Sequence, residues 1–296
     1  MALKKGIFKN PVRRWAWLFV GPVLICFLIG FVWPFLQGIR LSFCKFRLIR
    51  DAKFSGFDNY IAAFGDSGFL HSFWCTASFA VVSLIIINLS AFAIAYALTR
   101  GVRGSNVFRT VFFMPNLIGG IVLGYIWSMI FDGILSRFGT SVLLETAYGF
   151  WGLVILVCWQ QIGYMMIIYI AGLQAVPEEM IDAARVDGAN GRQILFGIII
   201  PNVMPSITVC TFLSLTNGFK IFDQNLALTA GQPFITQPDG SAVKTTEMMA
   251  LNIYNTFYGQ GVMSQGVAQA KAVLFFILVA ALGMIQLLAT RKREEQ

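Results

Sequence analysis

Six long, predominantly apolar stretches run through this chain, and no other feature constrains its fold as tightly. They lie at about 15–39, 73–98, 107–131, 150–173, 195–219 and 272–290. A helix needs roughly 20 apolar residues to cross the hydrocarbon core of a bilayer. Inside lipid the backbone has to satisfy its own hydrogen bonds, which leaves the helix as the reading for each run. Composition agrees, with 57% of the 296 residues hydrophobic and 12% charged, against roughly 25% charged in a soluble domain. An all-α membrane protein follows. The net charge of +8 then belongs to basic loops at a membrane face, and nucleic acid drops out as a partner.

Residues 1–14 form a basic tail and residues 291–296 a second one, flanking a transmembrane domain at 15–290. The first run is too long for a secretory h-region and lacks a small-residue cleavage site, so it reads as an uncleaved anchor. With both termini in the cytoplasm, thirteen Lys and Arg fall inside and nine outside, the direction the positive-inside rule requires. The five cysteines form no CxxC pair, His71 stands alone, and no GxxxxGK[ST] occurs. Metal binding, a catalytic constellation and a P-loop are therefore not indicated.

Between the fourth and fifth runs lies "EEMIDAARVDGANGRQILFGIIIP", Glu178 to Pro201. Pro177 is suited to the first turn of a helix, and Glu178, Glu179 and Asp182 suit the positive end of its dipole. Met180, Ala183 and Ala184 fall at i, i+3, i+4 as one small apolar stripe, and Gly188 is a natural stop. The spacing predicts a helix of about three turns over 177–188, too short and too charged to span. A helix lying on the lipid surface is the competing reading, although such helices usually carry Lys and Arg rather than acid.

Continued to Ser206, this segment resembles the EAA coupling motif of ABC importer permeases, in their carbohydrate-uptake branch. The matching positions are Asp182, Ala183, Ala184, Asp187, Gly188, Ala189, Pro201 and Pro205. Asp182 stands for the usual Glu, Leu195 for Phe and Ile200 for Leu. "FSGFDNYIAAF" (54–64), "VFRTVFFMPNLI" (107–118), "IYIAGLQAVPEE" (168–179) and "NGFKIFDQNLALTAGQP" (217–233) resemble further family segments in the same order.

The resemblance implies a six-helix type I ABC importer permease, a transport subunit and not an enzyme. It sits in a bacterial or archaeal cytoplasmic membrane, with a cytoplasmic coupling helix between spans four and five. Glu178, Glu179, Asp182, Ala183, Ala184, Asp187, Gly188 and Ala189 would dock on an ATPase. Pro201 and Pro205 would act as a hinge, or merely mark a loop-to-helix boundary. The implied partners are membrane lipid, a second, non-identical permease, two copies of the ATPase and an extracytoplasmic solute-binding protein. No cofactor is expected in this chain, with ATP and Mg on the ATPase.

A sugar pathway needs hydroxyl-matching polar groups within the spans, and Tyr164, Thr211, Ser214, Asn217 and Asn116 are the candidates. Polar residues in spans also tie helices together. Glycerol phosphate is a related substrate of the same branch. The alternative function, an ion-coupled secondary transporter of a neutral polar solute, would need intramembrane carboxylates or an inverted repeat. Neither is evident in the six runs.

Overall fold

The computed structural model describes residues 11–236, 240, 242–259 and 264–294. The chain forms two compact units, Met1–Ala63 with Thr256–Val273, and Phe64–Asn255 with Leu274–Gln296. Among the described residues six helices are long and apolar enough to cross a membrane: Trp17–Ser42, Ser67–Leu98, Gly120–Phe138, Thr146–Gln174, Gly191–Phe219 and Ser264–Gln286.

In the first unit, α1 (Pro11–Phe27) runs through a π turn at Leu28–Val32 into α2 (Trp33–Ser42). The wide turn has a covalent cause. Pro34 has no N–H and its ring crowds the carbonyl four residues back, at Gly30, so the ladder loosens there. Strands β1 (Cys44–Lys45) and β2 (Lys53–Phe54) then pair antiparallel and lead into α3 (Asp58–Gly65). The buried Asn59 side chain donates to the carbonyls of Ser42 and Cys44, at 2.8 and 2.9 Å. That clamp fixes the hairpin to the end of α2.

The second unit is organised on α4 (Ser67–Leu98), α7 (Thr146–Gln174) and α10 (Ile200–Phe219). Asp66 caps α4 by accepting from the Gly68 and Phe69 amides. At 32 residues and about 1.5 Å rise each, α4 is longer than the roughly 30 Å of hydrocarbon. Phe79, Ile87, Ala91, Leu153, Met165 and Val203 form part of the buried core between these three helices. α7 is the most enclosed span, and its glycines explain how. A Cβ on Gly163 would overlap the Phe112 carbonyl, and one on Gly172 would overlap the Ser206 hydroxyl. Other helices therefore press directly onto its backbone.

The third expected span, 107–131, does not exist as one helix. α5 (Ser105–Phe113) passes into a 3-10 turn at Met114–Leu117, the backbone extends at Ile118 and Gly119, and α6 (Gly120–Leu135) starts afresh. Pro115 and the Gly119-Gly120 pair break the run, and hydropathy alone does not register them. The spanning segment shifts to Gly120–Phe138 and takes in Asp132, so the expectation of no intramembrane carboxylate is corrected. The sixth span, α12 (Ser264–Glu294), also begins earlier than the expected 272. Lys271, expected in a loop, is instead fully buried within it and donates to Thr256 at 2.7 Å.

Candidate functional site

The acidic segment folds as α8 (Glu178–Val186), a little shorter than the expected 177–188. Pro177 is extended (ψ 127°) and holds the cap position rather than the first turn. Glu178 and Glu179 open the helix and Arg185 closes it, each placed favourably for the helix dipole. Gly188 adopts φ +80°. There the Gly188 amide reaches the Arg185 carbonyl and the Ala189 amide the Ala184 carbonyl, at 3.1 and 2.9 Å, which closes the last turn as a left-handed C-terminal cap.

The apolar stripe expected from Met180, Ala183 and Ala184 is divided between two faces. Ala184 packs with Ile181, Val176, Ala189 and Ile194 against the core. Met180, Ala183 and Val186 are exposed, Val186 to 88%, and Glu179 and Asp187 flank them. Asp182 and Arg185 form a surface ion pair of 2.9 Å, a contact of small energetic worth in water. Both, with Glu178, border a cavity of about 940 Å³ that Tyr96, Arg100 and Gln174 also line. α8 thus touches the bundle along a narrow apolar seam and stands off from it elsewhere.

Its link to α10 is a feature the sequence reading missed. Asn190 accepts from the Arg192 and Gln193 amides, and Gln193 returns a bond to the Asn190 amide at 2.7 Å. The signal was legible as Asn-x-x-Gln, a capping box. It starts α9 (Gly191–Ile194), which continues through a π turn at Leu195–Ile199 into α10. Pro201 lies just beyond that turn, with Gly197 four residues back, repeating the arrangement at Pro34. Pro205 is inside α10.

The polar candidates separate into two groups. Ser214 is buried and accepts from Asn88 at 3.1 Å, while Tyr169 donates to Asn88 at 2.7 Å. This trio joins α4, α7 and α10. Asn217 is exposed and donates across to Gln161 of α7 at 3.1 Å. Tyr164, half-buried, follows Gln161 by three residues and shares its helix face. Thr211 and Asn116 are half-buried, and no bond joins them to this pair. Gln160 is engaged elsewhere. It donates to the Ile118 carbonyl left over by the broken third run and accepts from Gln224 of α11 (Asp223–Leu228).

Six candidate membrane spans, with a short charged helix between the fourth and fifth, make this a multi-pass membrane protein. The chain belongs to the family of binding-protein-dependent transport system inner membrane components, whose pattern it matches over residues 90–294. It is therefore a multi-pass inner-membrane protein and a non-enzymatic permease component of such a system. It is 40% identical over 302 residues to the probable starch degradation products transport system permease protein of Thermoanaerobacterium thermosulfurigenes, covering 99% of both chains. It is 28% identical over 292 residues to the multiple sugar-binding transport system permease protein of Streptococcus mutans, covering 95% of this chain and 97% of the relative. Its fold resembles a chain of a crystallised bacterial ABC transporter that imports the acidic polysaccharide alginate. There the TM-score is 0.78 at 18% identity, covering 95% of this chain and 97% of that one.

Proposed function

We propose that this chain is one of two non-identical permeases of an ATP-driven importer for a sugar or oligosaccharide. The observation that carries the reading is the form of α8. Its free face is small and apolar between acidic residues, suited to insertion into a cleft of a separate cytoplasmic ATPase, and its exit is capped directly into α10. Two ATPase copies would bind ATP with Mg, close, and draw the permeases' docking helices together. Both termini of this chain would then be cytoplasmic, and a solute-binding protein would deliver substrate on the opposite side. Glu179, Ala183, Asp187 and Gly188 form the docking face or set its turn, while Ala184 and Ala189 anchor it. Asp182 and Glu178 line its edge, and Pro201 and Pro205 form the bend that carries motion into α10. The carbohydrate assignment draws on the relatives named above. Gln161, Tyr164 and Asn217 are its best-placed contacts.

The test is a cross-link. In a background with the exposed Cys26 replaced by Ser, Val186→Cys should form a nucleotide-sensitive cross-link to the ATPase, and Trp74→Cys should not. No cross-link from Val186→Cys in an ATP-hydrolysing complex would remove α8 as the docking element.

A further inference from the structure

The hairpin that follows the first span has no part in the transport reading, yet the end of α2 and the hairpin together carry five cations within residues 40–53. Arg40, Lys45, Arg47, Arg50 and Lys53 are all exposed, against Asp51 and Asp58. Lys45 is taken by Asp58 at 2.7 Å. Among the described residues Arg47, Arg50 and Lys53 enter no ion pair. Interleaved with them, Leu48, Ile49 and Phe54 are 63%, 68% and 80% exposed. A surface that alternates unpaired cations with bare large apolar side chains is unfavourable in plain water.

Its position says what covers it. The apolar span Trp17–Ser42 is separated from β1 by Phe43 alone, and the Asn59 clamp ties β1 to that end. The Ser55 amide closes the hairpin onto the Phe43 carbonyl at 2.8 Å. Residues 44–54 are therefore held at the level where the hydrocarbon ends and the headgroups begin. Apolar side chains can enter the acyl boundary there while neighbouring cations reach phosphates. A protein-docking surface would instead group its apolar residues at a centre with charges at the rim.

We propose that this hairpin is a binding site for anionic phospholipid, with Arg47, Arg50 and Lys53 holding the headgroup and Leu48, Ile49 and Phe54 inserted beside it. The site fixes the depth of the first span in the membrane. It depends on membrane insertion alone and not on how α8 is used.

The test uses the purified transport complex in nanodiscs of mixed phosphatidylcholine and phosphatidylglycerol. The phosphatidylglycerol enrichment of lipid retained through gentle extraction is measured by mass spectrometry. Each basic group near an anionic surface is worth roughly a fivefold preference at low salt, so R47Q/R50Q/K53Q should lose at least about tenfold in the enrichment of the tightly held fraction. R47K/R50K should keep it, and high salt should mimic the triple substitution. Enrichment unchanged in the triple variant overturns the proposal. So does unchanged enrichment combined with lost stimulation by a soluble binding protein, which would assign the hairpin to protein docking.

Discussion

Gly188 and the Asn217 pair concentrate the residue-scale consequences. At φ +80° a side chain costs about 1–2 kcal/mol, and more if β-branched. Gly188→Val should leave the chain inserted in the membrane while reducing substrate-stimulated ATP hydrolysis by about tenfold or more, measured in proteoliposomes. Full stimulation would dissociate the αL turn from docking. Ser214 and Asn217 are three residues apart on α10 and should respond differently. Ser214→Ala removes one interhelical bond, worth about 0.6 kcal/mol on average. It should lower thermal stability slightly and leave the KM for uptake unchanged. Asn217→Ala and Tyr164→Ala should raise that KM several-fold with ATPase binding intact. Equal uptake by all three variants would clear the Gln161–Asn217 face of substrate contact.

Among elements, the close approach of α5 to α7 is the most demanding contact. Gly163→Val has no room beside the Phe112 carbonyl, and overpacking of this kind costs about 1–3 kcal/mol. The variant should lose several degrees of melting temperature in detergent, whereas Gly133→Ala, where a Cβ meets nothing within 4 Å, should not. Asp66→Ala should cost about 1 kcal/mol through the lost cap of α4. Much of this level was readable in the sequence, because apolar length marks spans and Gly188 marks a helix end. The third run misled because Pro115 and Gly119-Gly120 leave mean apolarity untouched while ending a helix. Asn190 and Gln193 are legible as a cap, although charge is the stronger signal in that segment. The partition of Met180, Ala183 and Ala184 between two faces depends on where α8 touches the bundle, and Ser214's role depends on Asn88, 126 positions away. Local pattern contains neither.

For the whole molecule, transport by alternating access is a two-state equilibrium biased by binding elsewhere. Swinging it from about 1:99 to 99:1 takes roughly 5.5 kcal/mol. In the proposed assembly that bias enters at α8 and reaches the pathway through α9 and α10, which the capping box and the Pro201 turn join without an intervening loop. Asp132 in the third span is the feature an ion-coupled mechanism would use, and it sits within hydrogen-bond reach of Ser128 at 3.4 Å. Uptake of labelled oligosaccharide into proteoliposomes holding the full complex separates the two energy sources. Docking through α8 predicts uphill uptake with internal ATP, reduced about tenfold or more in Gly188→Val and indifferent to proton and sodium ionophores. Accumulation driven by an ion gradient without ATP, and lost in Asp132→Asn, would contradict it.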